Sequence, residues 1–125
     1  MFEISVKGQF SAAHRLIEYN GKCENLHGHN WIVGMCIQAQ ELDSQGMVDD
    51  FTKVKKKLNE ILKMFDHKYL NELEFLKGIN PTSELIAEFI YKKAADEFDL
   101  RKGIEIKNVS VWESENSKAT YEKQD

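Results

Sequence analysis

The chain has 125 residues, 42% of them hydrophobic, and 21 Asp and Glu against 17 Lys and Arg give a net charge of −4. That length supports one domain with a genuine core and not two, so residues 1–125 are read as a single domain. The acid excess, with no basic stripe carrying interleaved aromatics, excludes nucleic acid as the main partner; no run approaches the ~20 apolar residues that cross a bilayer; a small anionic substrate stays admissible, because a local pocket can oppose the global sign.

The chain opens directly on a strand pattern, with Phe2, Ile4 and Val6 alternating with polar residues. That start is not an apolar leader, and two cysteines, Cys23 and Cys36, accompany no secretory feature. Free thiols and a cytoplasmic location are therefore expected. Lys7-Gly8 allows a bend, after which Phe10, Ala12 and His14 continue on one face. Asn20-Gly21 signals a turn.

The stretch Cys23-Glu24-Asn25-Leu26-His27-Gly28-His29 follows and leads into a strand with Trp31, Val33, Met35, Ile37 and Ala39 on one face. Two histidines one residue apart on a strand point to the same side, so their imidazoles can grip one ion together. Gly28 removes side-chain bulk from the opposite side. Zinc held for catalysis usually has three protein ligands and one open position, and His14 on the preceding strand supplies the third. Iron, nickel and copper also take nitrogen ligands, but three histidines with an open position suit zinc (Zn2+) best. Cys23, four residues before the first of the pair, is placed to face the metal without binding it; a closed structural site with Cys23 as fourth ligand is the alternative. Cys36, on the other strand face with Ile32 and Gly34, reads as a packing residue.

After a turn at Ser44-Gln45-Gly46, Asp50 is a good N-cap for a helix whose Val54, Leu58, Ile61, Leu62 and Phe65 make one buried stripe. Lys55, Lys56 and Lys57 lie off that stripe and read as a solvated face rather than a phosphate site. The pattern runs out near Asp66-His67, where His67 serves either as a proton-transfer partner oriented by Asp66 or as a C-terminal cap. Asn80-Pro81-Thr82-Ser83-Glu84 opens a second helix capped by Thr82 or Ser83, with Ile86, Phe89, Ile90 and Ala94 inward. Glu84 suits the helix dipole and needs no functional explanation on its own. Arg101-Lys102-Gly103 ends that helix. Ile104 and Ile106, then Val109, Val111 and Glu113, restore strand alternation, and a last strand runs through Ala119 and Tyr121. Glu113 falls on the side of the two valines, an odd place for a charge unless something binds it.

The order ββααββ is an α+β arrangement: a four-stranded antiparallel sheet with two helices on one face. Such a sheet has two free edges, and the apolar strand 31–39 should not stay unpaired. Symmetric self-association edge to edge removes the problem, so a homo-oligomer is expected.

Six motifs in this order carry a resemblance that covers nearly the whole chain: Phe10-Ser11-Ala12-Ala13-His14; Cys23 with His27-Gly28-His29-Asn30; Gly46-Met47-Val48-Asp49-Asp50-Phe51; Asp66-His67-Lys68-Tyr69-Leu70-Asn71; Asn80-Pro81-Thr82-Ser83-Glu84; and Val111-Trp112-Glu113-Ser114. Together they resemble the 6-pyruvoyltetrahydropterin synthase / 6-carboxytetrahydropterin synthase family of the tunnelling fold (T-fold). The resemblance implies a lyase in which His14, His27 and His29 bind zinc that holds the side-chain hydroxyls of a dihydropterin triphosphate. It implies Cys23 as general base with Asp66 and His67 as proton-relay partners, Glu113 as anchor for the pterin ring, and Thr82, Ser83 and Glu84 as further pocket contacts. It also implies trimers stacked into hexamers with active sites between subunits. Three residues separate Cys23 from His27, similar to the carboxy-forming enzymes of queuosine biosynthesis; the pyruvoyl-forming enzymes carry a longer insertion. The implied reaction is therefore 7,8-dihydroneopterin triphosphate to 6-carboxy-5,6,7,8-tetrahydropterin, acetaldehyde and triphosphate. A 6-pyruvoyltetrahydropterin synthase, a non-catalytic zinc- or pterin-binding module and a small structural zinc protein are the alternatives. Glu24 beside Cys23 reads as a surface charge rather than the source of an aldolase-like side activity.

Overall fold

The computed structural model describes residues 1–17 and 26–124. The turn expected at Asn20-Gly21, and Cys23 and Glu24, lie outside the described residues. The longest pairing is a thirteen-residue antiparallel ladder between β1 (Phe2–His14) and β2 (His27–Ala39), unbroken from Phe2 opposite Ala39 to His14 opposite His27. The bend expected at Lys7-Gly8 is thus absent. Gly8 serves packing instead: a Cβ there would come within 2.6 Å of Asn59 Oδ1 and 2.7 Å of Leu62 Cδ1 on the helix above. Gly8→Val should cost about 1–3 kcal/mol by overpacking, read as a lower denaturant midpoint at unchanged slope.

That helix, α1 (Phe51–Leu62), starts where the Asp50 carboxylate accepts the Thr52 amide, and it buries Val54, Leu58, Ile61 and Leu62. Lys55 and Lys56 are exposed, as a solvated face requires. α2 (Ser83–Glu97) is capped by Thr82, whose hydroxyl accepts the Leu85 amide, and it buries Ile86, Ala87, Ile90 and Ala94. Both helices cover one face of the sheet, α1 over β1 and α2 over β4 (Ile104–Ser114) and β5 (Ser117–Glu122). Between the layers Phe10 stacks on Trp31 and Phe65, with ring centroids 5.7 and 5.1 Å apart. On the other face the Cys36 thiol is buried and donates to Glu3 Oε2 at 3.5 Å, consistent with its packing role.

The sheet has five strands among the described residues, in the order β3-β1-β2-β4-β5, one more than the sequence pattern predicts. The addition is β3 (Lys68–Tyr69), parallel to β1 at Ala12 and Ala13. Two residues carry no periodicity, so a sequence pattern has nothing to register. The apolar strand 31–39 is not an edge: β2 lies between β1 and β4. Among the described residues the free edges are β5, β3 and the part of β1 before Ala12.

Two bulges interrupt the pairing of β4. Pairing passes from Cys36 opposite Asn108 to Ile37 opposite Ile106, which leaves Lys107 as an extra residue and lets Ile104, Ile106, Val109 and Val111 all face the core. Pairing with β5 passes from Trp112 opposite Lys118 to Ser114 opposite Ser117, so Glu113 is the second extra residue. Against β2 the register stays regular from Val109 to Trp112, so Glu113 continues the alternation of Val109 and Val111 on the core-facing side.

Candidate metal centre

The paired ends of β1 and β2 put three imidazoles side by side. His14 stands opposite His27, and His29 stands opposite Ala12, so all three rings project from one face of the ladder. His14 is fully buried, with its ring edge-on to Trp31 at 4.8 Å. Its Nδ1 lies 3.0 Å from the Pro81 carbonyl, which only accepts, so Nδ1 carries the proton and Nε2 turns its lone pair to the other rings. Outer contacts of this kind orient metal-binding histidines. A Cβ at Gly28 would meet nothing nearer than Ala12 O at 3.9 Å, so its lack of bulk is not what brings the histidines together.

His14 Nε2 and His27 Nε2 are 3.0 Å apart, and Glu113 Oε1 lies 3.1, 3.5 and 2.8 Å from the Nε2 atoms of His14, His27 and His29. The donor atoms of these four residues all fall within 4.8 Å of one another, a group able to hold a metal ion. Four donors around a tetrahedral zinc, each ~2.0–2.1 Å from the ion, stand about 3.3 Å apart, close to these separations. His29 Nε2 is buried and makes no hydrogen bond, although Glu113 Oε1 is only 2.8 Å away. That nitrogen and the carboxylate oxygen are placed to share a cation. Burial pushes the His29 pKa down, and charge on His27 and His14 pushes the same way against Glu113. That direction favours the neutral ring that a metal ligand needs. The donor set fits zinc.

Asp66 and His67 form a second unit. Asp66 Oδ1 accepts the Ser11 amide at 2.9 Å, and the His67 amide donates to Ser11 O at 2.6 Å. Asp66 Oδ2 meets His67 Nδ1 at 2.9 Å, and the hydrogen bond from Ser11, then contact with His67, lowers the Asp66 pKa. His67 holds a left-handed backbone at φ 58°, and its ring is 82% exposed. A non-glycine residue in that region marks a constrained backbone. His67 does not cap α1, which ends at Leu62 with the Lys63 amide bonded back to Asn59 and Ile61. The hydrogen bonds of the pair run to Ser11, on the outer edge of β1, rather than to the histidine group.

Thr82 and Ser83 are half-buried next to Pro81, whose carbonyl holds His14; Glu84 is exposed in the first turn of α2. Two residues to which the sequence assigned no role of their own, Asn71 and Asn80, also position the site. Asn71 accepts the Arg15 amide at 2.8 Å and donates to the Arg15 carbonyl at 2.7 Å, and Asn80 does the same to Ile17 at 2.9 and 3.0 Å. Two side-chain amides thus stand in for a neighbouring strand along the segment that leaves His14. The signal was present: asparagine carries one donor group and one acceptor on the same short side chain.

Residues 3–124 match the protein family described as 6-pyruvoyl tetrahydropterin synthase. A putative 6-carboxy-5,6,7,8-tetrahydropterin synthase from Archaeoglobus fulgidus is 36% identical, over 90% of this chain and 89% of its own. A 6-pyruvoyl tetrahydrobiopterin synthase from Dictyostelium discoideum is 34% identical, over 90% of this chain and 89% of its own. Among solved structures, the 6-pyruvoyl tetrahydropterin synthase of Caenorhabditis elegans superposes with a TM-score of 0.85 at 28% identity, over 98% of this chain and 96% of that one.

Proposed function

The chain belongs to the 6-pyruvoyl tetrahydropterin synthase family, and on that premise we propose that it is a zinc-dependent 6-carboxytetrahydropterin synthase. The reaction converts 7,8-dihydroneopterin triphosphate to 6-carboxy-5,6,7,8-tetrahydropterin, acetaldehyde and triphosphate, a step of queuosine biosynthesis. The observation that carries the reading is the convergence of His14, His27 and His29 with Glu113 at the end of the β1–β2 ladder. The short Cys23–His27 spacing favours the carboxy-forming reaction, as does the name of the Archaeoglobus relative.

His14, His27 and His29 hold the zinc, which when bound polarises an oxygen and lowers the pKa of a hydroxyl held there. Cys23, as thiolate, takes a proton from the substrate side chain, and His67 with Asp66 passes protons at the same place. The Glu113 carboxylate accepts hydrogen bonds from the pterin ring, and Thr82, Ser83 and Glu84 line its pocket. Because the His67 ring is turned to solvent beside the free edge of β1, it serves the site of a neighbouring subunit. Pairing of the free β1 and β5 edges assembles trimers and hexamers with sites shared between chains. No helix among the described residues is long and apolar enough to cross a membrane; the proposed location is cytoplasmic.

The second reading, a 6-pyruvoyltetrahydropterin synthase, is favoured by the name of the Dictyostelium relative. Incubating the zinc-loaded protein with 7,8-dihydroneopterin triphosphate and identifying the products separates the two. Acetaldehyde together with the carboxy product supports the first reading, elimination of triphosphate without acetaldehyde the second, and no turnover a non-catalytic pterin-binding module.

A further inference from the structure

We infer that Glu113 is a two-position carboxylate: it is the fourth donor to the ion in the absence of a guest, and it leaves the ion when a pterin ring takes its hydrogen bonds. The inference rests on the metal reading above and adds to it what closes the coordination shell. Three observations carry it. Glu113 Oε1 stands at 2.8 to 3.5 Å from all three Nε2 atoms, the separations of a fourth vertex rather than of a residue waiting beyond the ion. Glu113 follows Val109 and Val111 in the alternation of β4, whose regular pairing with β2 up to Trp112 opposite Ile32 puts it on the face that carries Trp31 and the histidines. Its side chain is 32% exposed, so the carboxylate has solvent on one flank into which it can swing, whereas His14 on the opposite side is sealed.

Among the described residues every polar contact of this carboxylate is with the three rings. A group that only anchored a pterin would be expected to rest on a donor of its own when no pterin is present. A carboxylate in the shell also compensates charge: an oxygen donor neutralises part of the ion's +2 that three neutral imidazoles leave untouched. Substrate binding is then an exchange. The pterin's ring N–H and amino groups take Glu113, and the place it vacates becomes the open position that a substrate oxygen needs. The shell is closed when idle and open only with the guest in place.

The test uses the full chain loaded with Co2+, whose visible bands report the number and type of donors, together with metal affinity measured by chelator competition. Glu113→Gln should raise the metal dissociation constant at least tenfold and alter the bands, because a neutral amide is a weaker donor than a carboxylate. Glu113→Asp, one methylene shorter, should fall between the two and covers the case in which the glutamine variant folds poorly. Saturating 7,8-dihydroneopterin, its binding followed by ultrafiltration, should change the bands of the unmodified protein. Dissociation constants within twofold of the unmodified protein and unchanged bands in both variants would overturn the inference, and so would bands that ignore bound pterin. Failure of the unmodified protein to bind either Co2+ or Zn2+ would instead sink the metal reading itself.

Discussion

His14→Ala should strip the protein of zinc and weaken the fold at the same time, whereas His27→Ala should strip the zinc alone. Both remove one nitrogen donor, and loss of an outer contact to a metal ligand already costs 10–100-fold in affinity, so loss of a ligand should cost more than ~100-fold. The difference lies in what else each ring does. The His14 imidazole is fully buried, fills space beside Trp31 and donates to the Pro81 carbonyl. Its removal leaves a cavity and an unpaired acceptor, together worth about 2–4 kcal/mol. The His27 side chain is 37% exposed, and truncation there should stay within ~1 kcal/mol. Denaturant midpoints should be compared in a chelator, so that bound metal does not add its own stabilisation, and metal content measured separately. Wild-type zinc stoichiometry in both variants would remove the metal centre.

The same centre fixes the direction of the pH dependence. The His29 pKa in the folded chain is lowered from the ordinary 6.5, chiefly by burial. Below about that pH the unfolded chain takes up the proton more readily than the folded one, so the metal-free fold loses stability as pH falls. Proton competition for the three imidazoles releases metal in the same direction. Retention of zinc should therefore be full at neutral pH and decline on acidification.

Much of this arrangement was legible because local chemistry and long-range packing agree. Period-two alternation found the four long strands, and the Asp50 and Thr82 caps fixed where the helices begin. The histidine pair was visible because one intervening residue on a strand leaves only one outcome for side-chain direction. What escaped has a common cause, namely features defined by a neighbour rather than by a period. Gly8 looked like a bend because glycine in isolation signals freedom, yet its missing Cβ is filled from the far side by Asn59 and Leu62. β3 is two residues whose pairing depends on the Ser11 main chain already taken by Asp66 and His67. The two asparagine clamps act on main chain more than fifty residues away. The oddness of Glu113 among valines was correctly seen, but nothing in the sequence marks the β2–β4 register that sets its carboxylate beside the histidines.

Cys23→Ala and His67→Ala should each abolish turnover while keeping zinc, and mixing the two should bring part of the activity back. The first half follows from proton transfer: removing either group leaves no acid or base at the place it served, which typically costs 10²–10⁴-fold. His67 is not among the four donors, and on the proposed roles Cys23 moves a proton without holding the ion, so zinc content should not change. The second half follows from where His67 sits. Its exposed ring is held beside the open edge of β1, and the hydrogen bonds of its pair with Asp66 run to Ser11 rather than to the histidine group of its own chain. If each site draws Cys23 from one subunit and His67 from the next, a randomly assembled equal mixture has both residues intact in about a quarter of its sites. Activity near that fraction after co-refolding, with neither parent active alone, supports division of the site between subunits. A mixture as inactive as its parents places both residues in one chain's site, and a His67→Ala variant with full turnover removes the relay altogether.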